Sequence, residues 1–227
     1  MKAVVLLSGG LDSTVCMAVA RSQGFELYPI SFNYQQRHRR EVECARMVAG
    51  FYAVRHHLVI DTNMSAIGGS ALTDNSVGVP DGDVDRQDIP ATYVPARNLI
   101  FLSYALGYAE VSGADHIFIG VNALDYSGYP DCRPEFIELF QHLTDYSTKA
   151  SVAEKRQIRI ETPLIRLTKS QIVRLGAELA APLEMTTSCY RGGEEACGTC
   201  DSCLLRLKGF AGAGLTDPIA YAGGEKT

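Results

Sequence analysis

The sequence predicts an α/β protein built on a parallel sheet, and two observations support this class. Short apolar stretches alternate with helical segments up to residue 181, which is the pattern of βαβ units. The opening stretch "KAVVLL" (2–7) runs into a glycine-rich turn and a helix start, "SGGLDST" (8–14), as a buried strand of such a sheet does. With 227 residues, of which 46% are apolar, the chain can bury the core of one sizeable domain.

The predicted elements alternate in chain order. Each expected strand is a short, mainly apolar run; the five lie at 2–7, 25–32, 55–61, 115–120 and 158–163. The expected helices lie between them, at 11–24, at 39–52, at 95–113, from 134 onward and at 167–180. Gly24 closes the first helix and Pro134 suits a first helical turn. Thr168 and Gln171 form a capping box at the start of the last helix.

Two regions fall outside this alternation. Residues 62–91 are rich in Gly, Asp, Ser and Asn and are expected to form a long loop. Residues 182–203 are rich in cysteine, and the tail after them is rich in Gly and Ala. We therefore divide the chain into an α/β domain, 1–181, and a C-terminal part, 182–227. The C-terminal part consists of a cysteine-rich, zinc-binding knuckle and a helical tail, and both are expected to pack on the α/β domain.

Composition excludes some classes of protein. The formal net charge of −5 argues against a strongly basic nucleic-acid binder, although "QQRHRR" (35–40) is a local basic patch. No segment resembles a signal peptide or a membrane span, so we expect a cytoplasmic protein. Its seven cysteines are then expected to be reduced rather than paired in disulfides.

Ligands of parallel sheets bind at the carboxyl ends of the strands, and the first such turn, 8–14, has the composition of a phosphate site. Gly9 and Gly10 let backbone N–H groups approach a ligand closely. The helix start that follows presents free N–H groups and a positive dipole end. Three hydroxyl groups add hydrogen-bond donors: Ser8, Ser13 and Thr14.

Asp12 lies at the mouth of this anion site, where a carboxylate is useful if it holds Mg²⁺ beside phosphate. A P-loop would carry a Lys after its glycines, and a Rossmann dinucleotide loop would carry three spaced glycines. Neither pattern is present here. An ordinary strand-to-helix turn with Asp12 or Ser13 as the N-cap is the alternative interpretation.

The string "SGGLDS" resembles the PP-loop, the SGGxDS signature of the ATP pyrophosphatase superfamily. That superfamily includes asparagine, GMP and NAD synthetases and several tRNA-modifying enzymes. The resemblance implies a Rossmann-like fold of the adenine nucleotide alpha hydrolase type, with helices on both faces of a five-stranded parallel sheet. It also implies cleavage of ATP between the α and β phosphates, which gives an adenylated intermediate. The implied ATP-binding residues are Ser8, Gly9, Gly10, Leu11, Asp12, Ser13 and Thr14.

Four cysteines near the C-terminus follow metal-ligand spacing. Cys189, Cys197, Cys200 and Cys203 form a C-x7-C-x2-C-x2-C pattern, and four nearby thiolates can close one tetrahedral, structural Zn²⁺ site. An iron–sulfur cluster is the main alternative, because C-x2-C-x2-C also occurs in ferredoxins, and unligated cysteines are the other. Elsewhere, Cys16 and Cys44 lie in amphipathic helices and are expected in the core, and Cys132 lies in a polar loop.

The loop after the fourth strand, "GVNALDYSGYPDCRPEF" (120–136), is dense in polar and aromatic residues. Carboxylates such as Asp125 and Asp131 can accept hydrogen bonds from the amino groups of a guanine-like edge. Tyr129 can stack on a flat ring, and Arg133 can pair with a carboxylate or a phosphate. A solvated loop with turn-forming residues is the alternative.

The PP-loop, "YVPARN" (93–98), this loop and the four-cysteine knuckle together resemble one family, 7-cyano-7-deazaguanine synthase of the queuosine precursor pathway. The resemblance covers essentially the whole chain. It implies ATP-dependent conversion of 7-carboxy-7-deazaguanine and ammonia to 7-cyano-7-deazaguanine, through adenylated intermediates and an amide. A glutamine amidotransferase domain is not expected, so free ammonia or a partner would supply the nitrogen.

The resemblance also implies roles for particular residues. Asp12, Arg97 and Lys169 become the catalytic candidates, the latter two through contacts to phosphate. Arg97 and Lys169 can equally be solvated surface charges. The implied deazapurine-binding residues are Asp125, Tyr129, Asp131 and Arg133. The four cysteines are implied to hold zinc, ATP is implied to act with Mg²⁺, and a homodimer without a nucleic-acid or membrane partner is implied.

Two other functions compete with this interpretation. A PP-loop tRNA-modifying enzyme of the thiolase type would use a basic surface for RNA and an iron–sulfur cluster. A zinc-knuckle binding module without enzymatic activity would leave the PP-loop unexplained.

Overall fold

A five-stranded parallel sheet forms the centre of the structure, a computed structural model that describes residues 1–37, 39–74, 76–83, 88–122 and 129–223. The strands are β1 Lys2–Leu6, β2 Glu26–Asn33, β3 Leu58–Asp61, β4 His116–Phe118 and β5 Arg159–Glu161. They lie in the order β3-β2-β1-β4-β5, and every pair is parallel. The predicted five-stranded parallel sheet is confirmed; four of the strands are shorter than the predicted apolar runs, and β2 is shifted by one residue.

The central strand β1 pairs on both sides. Val5 lies opposite Pro29 of β2 and opposite Phe118 of β4. Ala3, Val4 and Val5 have no exposed surface, because helices cover both faces of a doubly wound sheet. The chain proceeds outward from β1 to β3 and then crosses to β4 on the other side. This reversal opens a crevice at the carboxyl ends of β1 and β4, where such folds bind ligands.

Seven α-helices are formed by the described residues. They are α1 Leu11–Ser22, α2 Arg40–Phe51, α3 Arg97–Ser112, α4 Pro134–Ser147, α5 Lys149–Val152, α6 Lys169–Glu178 and α7 Asp201–Ala213. Helices α1, α2 and α6 pack in the core on one face of the sheet, and α3 and α4 pack in the core on the other. Both cores are built from aliphatic and aromatic side chains, and their position on opposite faces of the sheet confirms the predicted helices on both faces.

Helix boundaries follow local backbone chemistry. Helix α3 begins at Arg97 rather than at the predicted residue 95, because Ala96 adopts a left-handed conformation with φ of 54°. Helix α6 begins at Lys169 behind Thr168, and the predicted capping box with Gln171 is present. In the part of the chain that the structure describes, no helix has both the length and the apolar character to cross a bilayer.

The C-terminal helix lies directly on the α/β core. Gly209 and Gly212 of α7 face the first turn of α6, where an added Cβ would collide with the side chains of Lys169 and Ser170. The tail returns to the knuckle, since Ala196 exchanges backbone hydrogen bonds of 2.9 Å with Ala220 and Ala222. A division of the chain between residues 181 and 182 stays a prediction.

The predicted long loop, 62–91, reaches the cysteine knuckle. The backbone N–H of Gly82 donates to the carbonyl of Thr199 at 2.8 Å. The N–H of Asp83 donates to the buried carboxylate of Asp201 at 2.6 Å. Arg191 adds an ion pair to Asp81 at 2.6 Å. In its described part, this loop is therefore fastened to the start of α7.

Candidate functional site

A cavity of about 280 Å³ lies at the carboxyl ends of the strands. Its walls come from the loops after β1, β2 and β4, from the first turns of α3 and α6, and from the segment before α7. The two loops that the sequence analysis singled out as ligand sites, 8–14 and 120–136, therefore meet at one place in their described parts. The C-terminal part of the chain completes the wall through Thr187, Ser188, Tyr190 and Arg206.

The turn between β1 and α1 is organised by two serine hydroxyls. Ser13 Oγ donates to the carbonyl of Gly10 at 3.0 Å and accepts from the backbone N–H of Ser8 at 3.2 Å. Ser8 Oγ lies 3.0 Å from Ser13 Oγ and accepts from Gly10 N–H at 3.2 Å. Gly10 is the N-cap of α1 without a capping side chain among the described residues. The helix start thus keeps the N–H donors and dipole end that bind anions.

Gly9 places this turn against its neighbours. Its φ of +83° is a left-handed conformation, and an added Cβ would lie 2.6 Å from the backbone nitrogen of Ala45 and against the carbonyl of Glu41. The Gly9 carbonyl accepts from Thr187 N–H at 3.0 Å. Gly9 is therefore needed for the close approach of the turn to α2. Thr14 is fully buried, and neither it nor Gly9 is among the residues that line the cavity.

Asp12 and Lys169 form an ion pair at the cavity wall. Lys169 Nζ lies 2.9 Å and 2.7 Å from the two carboxylate oxygens of Asp12, and the side chains are 16% and 28% exposed, respectively. A cation at the first position of a helix is unfavourable by itself, and the carboxylate offsets that cost. Lys169 is therefore not a solvated surface charge, and its contact with phosphate stays a prediction.

Arg97 lies in the cavity among tyrosines. Arg97 Nη1 donates to Tyr34 Oη at 3.5 Å, and Tyr129 and Tyr190 also interact with it electrostatically. The Tyr129 hydroxyl lies 3.4 Å from that of Tyr190 and 3.2 Å from Thr92 Oγ1. Burial raises the pKa of Tyr34 and of Tyr190 well above the ordinary phenol value, so both stay protonated donors. We call Tyr34, Arg97, Tyr129 and Tyr190 the tyrosine cluster.

The four predicted deazapurine-binding residues have different positions. Tyr129 lines the cavity. Asp131 is 6% exposed, and its carboxylate accepts from the backbone N–H of Asn98 at 2.8 Å, in the first turn of α3. Arg133 is exposed at the N-cap of α4. Among the described residues, neither Asp131 nor Arg133 lines the cavity, and Asp125 lies outside the described residues. Binding by these three stays a prediction.

The four cysteine thiols of the knuckle converge. Their sulfurs lie within 4.8 Å of one another, and Cys197 Sγ is 3.9 Å from Cys203 Sγ. A tetrahedral Zn²⁺ site with bonds of about 2.3 Å has sulfur–sulfur edges of about 3.8 Å. Backbone N–H groups point to two of the sulfurs at 3.4 Å, from Cys197 to Cys189 and from Cys200 to Cys197. This donor set can hold a metal ion. Cys16 and Cys44 are buried, as expected.

Sequence analysis missed the buried ion pair of Arg206 and Asp217. Two N–H groups of Arg206 bind the Asp217 carboxylate at 2.7 Å and 2.9 Å. The other three reach Thr186 Oγ1 at 2.7 Å, Ser188 Oγ at 3.3 Å and the Leu183 carbonyl at 3.2 Å. A signal existed: Arg206 follows Cys203 by three residues and precedes Phe210 by four, which places it on the buried face of α7.

Comparison with known proteins places the chain in one family. A family profile described as queuosine biosynthesis protein QueC matches residues 2–214. The chain is 62% identical over 220 residues to the protein named 7-cyano-7-deazaguanine synthase 2 of Desulfitobacterium hafniense (strain Y51), with 97% of this chain and 93% of that one covered. It is 58% identical to 7-cyano-7-deazaguanine synthase of Acetivibrio thermocellus, with 97% of each covered. Among solved structures, NMN synthetase from Francisella tularensis is similar at 20% identity and a TM-score of 0.49, over 83% of this chain and 65% of that one.

Proposed function

The chain belongs to the family of queuosine biosynthesis protein QueC, and on that premise we propose that its cavity converts 7-carboxy-7-deazaguanine, ammonia and ATP to 7-cyano-7-deazaguanine. It is an enzyme of queuosine biosynthesis, like the curated synthases of which it covers nearly the full length. The observation that carries the proposal is the meeting, in one cavity, of the PP-loop turn, the Asp12–Lys169 pair and the tyrosine cluster.

The reaction needs ATP because a carboxylate is a poor electrophile. Its oxygen attacks the α phosphorus of ATP and releases pyrophosphate, which gives an acyl adenylate. Ammonia then displaces AMP and forms the amide. A second attack on ATP by the amide oxygen, followed by loss of protons from nitrogen and departure of AMP, leaves the nitrile. Both activations have the same form, so one site serves both.

The protein's part is to orient the reactants and stabilise charge at phosphate. The start of α1 with Ser8, Gly10 and Ser13 would bind the ATP phosphates, and Asp12 would hold Mg²⁺ beside them. Lys169 would lie beside the phosphates as well, because its Nζ is hydrogen-bonded to Asp12. Gly9, Leu11 and Thr14 would shape the turn. No protein nucleophile is required.

Mass spectrometry of one reaction tests the proposal. Purified protein is incubated with Mg-ATP, ammonium and 7-carboxy-7-deazaguanine, and we expect the nitrile together with AMP and pyrophosphate. Rapid quenching is expected to trap the amide. An unchanged base would contradict the proposed substrate, and nitrile without any amide would contradict the two-step scheme. The tRNA thiolase alternative is not favoured, since the matched relatives are named synthases.

We propose that the metal of the knuckle is Zn²⁺ with a structural role, because four protein thiolates fill a tetrahedral shell. Cys203→Ser is expected to lower bound zinc from about one per chain to near zero and to lower the melting temperature. Elemental analysis and calorimetry measure the two. Cys44→Ser, at another buried cysteine, is the matched control and should keep its zinc. Iron with visible absorption would instead support an iron–sulfur cluster.

We propose a cytoplasmic homodimer that needs no nucleic-acid or membrane partner. Helix α4 exposes Leu139, Leu143 and Tyr146, which have helical spacing on one face. Exposed apolar patches of this kind mark protein interfaces. Sedimentation velocity should show one species of twice the chain mass, and a monomer at micromolar concentration would contradict the dimer.

A further inference from the structure

Three cationic side chains line the described part of the cavity, and they differ in how their charge is matched. Lys169 is paired with Asp12. Arg206 uses all five of its N–H donors on Asp217, Thr186, Ser188 and the Leu183 carbonyl. Groups of the protein itself therefore accept hydrogen bonds from both of these cations.

Arg97 differs from both. Among the described residues its only side-chain hydrogen bond is the one to Tyr34 Oη, at the long distance of 3.5 Å. The carboxylate of Glu41 lines the same cavity and attracts Arg97 electrostatically. A guanidinium carries five N–H donors in a rigid fork that suits a carboxylate. The single bond to Tyr34 leaves most of that fork without a hydrogen-bond partner among the described residues, in a cavity that Arg97 lines.

The position of Arg97 is fixed by the structure around it. It is the first residue of α3, directly after the left-handed Ala96. The next residue, Asn98, is held by the buried carboxylate of Asp131 through its backbone N–H and by the Asp131 carbonyl through its side chain, at 2.8 Å and 3.1 Å. Asp131 is thus a positioning residue for the start of α3, which presents Arg97 to the cavity.

The surroundings of Arg97 are aromatic and differ from those of a typical phosphate-binding site. Tyr34 packs its ring at 5.5 Å from that of Phe101, and the hydroxyls of Tyr129 and Tyr190 meet at 3.4 Å. Helix α3 also lies on the face of the sheet opposite α1 and α6, which carry Asp12 and Lys169. The phosphate-binding turn and the tyrosine cluster are therefore supplied by different layers of the fold.

We propose that Arg97 binds the carboxylate of the substrate, and that Tyr34, Tyr129 and Tyr190 surround its flat ring. The inference rests on the proposed function and changes the role implied for Arg97 from phosphate to substrate recognition. The three tyrosine side chains supply ring edges and hydroxyl groups to a planar heterocycle, and the guanidinium matches its single negative charge. This charge is present in the acid substrate and absent from the amide intermediate.

That difference provides the test. Arg97→Gln is expected to lower kcat/KM about 100-fold with 7-carboxy-7-deazaguanine, because an ion-paired hydrogen bond is lost. With the isolated amide as substrate, the loss in nitrile formation should be at least tenfold smaller, since a neutral acceptor gains less from the charge. The affinity for the acid without ATP, measured by calorimetry, should fall with kcat/KM, whereas the KM for ATP should change little.

Lys169→Gln is the matched control, a cation of the same cavity at the phosphate-binding turn, and it should weaken both half-reactions equally because both use ATP. Equal losses in Arg97→Gln would overturn the inference and return Arg97 to phosphate. Arg97→Lys keeps the charge, and it gives the same acid-to-amide comparison if the glutamine variant does not fold. Wild-type protein that converts neither acid nor amide would refute the proposed function instead, so the two failures are distinguishable.

Discussion

Replacing Gly9 with alanine is expected to lower kcat/KM for nitrile formation by about 100-fold or more, because a shift of about 1 Å at a reacting group has that effect. The new methyl group would lie 2.6 Å from the Ala45 nitrogen and 2.9 Å from Cys44 Cβ. Both atoms belong to the packed interior of α2 and cannot yield. The turn that carries Ser8 and Gly10 must therefore move away from the position in which we propose that it binds the ATP phosphates.

The same substitution destabilises the fold. A left-handed conformation costs alanine about 1–2 kcal/mol, and overpacking against α2 adds about 1–3 kcal/mol. Steady-state kinetics and denaturant unfolding measure the two effects separately. The activity loss is expected at temperatures far below the midpoint, where the variant is fully folded.

Gly24→Ala separates strain from collision. Gly24 has a φ of +82°, almost that of Gly9, but a Cβ added there meets nothing within 4 Å. This variant should lose about 1–2 kcal/mol of stability from the backbone alone and keep its kcat/KM. If Gly9→Ala were as active as Gly24→Ala, the close packing of the turn on α2 would not matter for phosphate binding.

Local patterns predicted the architecture because each element carries its own signal. The apolar run at the start of the chain and the capping box at Thr168 are complete within a few residues. Strand ends are less predictable, since apolar residues continue past the last paired residue: Leu7 is buried but lies beyond β1. The four-cysteine knuckle could be predicted for the same local reason, because its four cysteines fall within fifteen residues.

Long-range contacts explain what could not be predicted. The tyrosine cluster joins Tyr34, Arg97 and Tyr190 from three distant segments. The Asp131 carboxylate binds the first turn of α3 from 33 residues away, and its expected contact with the substrate stays a prediction. The periodicity and spacing of residues in the sequence cannot predict such a contact, since it depends on how the layers of the fold pack together. The fastening of the loop 62–91 to Asp201 has the same origin.

Asp217→Asn is expected to lower the free energy of unfolding by about 3–5 kcal/mol, the usual cost of leaving a buried charge without its partner. Arg206 is 1% exposed and Asp217 is 6% exposed, so water cannot replace the carboxylate. The carboxylate also accepts from Tyr221 Oη at 2.7 Å. At this chain length the loss corresponds to about 6–20 °C in melting temperature, which calorimetry can resolve.

A surface pair provides the control. Asp115 accepts from Arg156 at 3.0 Å, with side chains 40% and 26% exposed, and Asp115→Asn should cost no more than about 1 kcal/mol. Similar losses in both variants would show that burial does not amplify the Arg206 pair. Arg206 also donates to Thr186 and Ser188 in the cavity wall. A larger loss of stability in Asp217→Asn, together with weaker ATP binding, would therefore show that the ion pair keeps this wall in place.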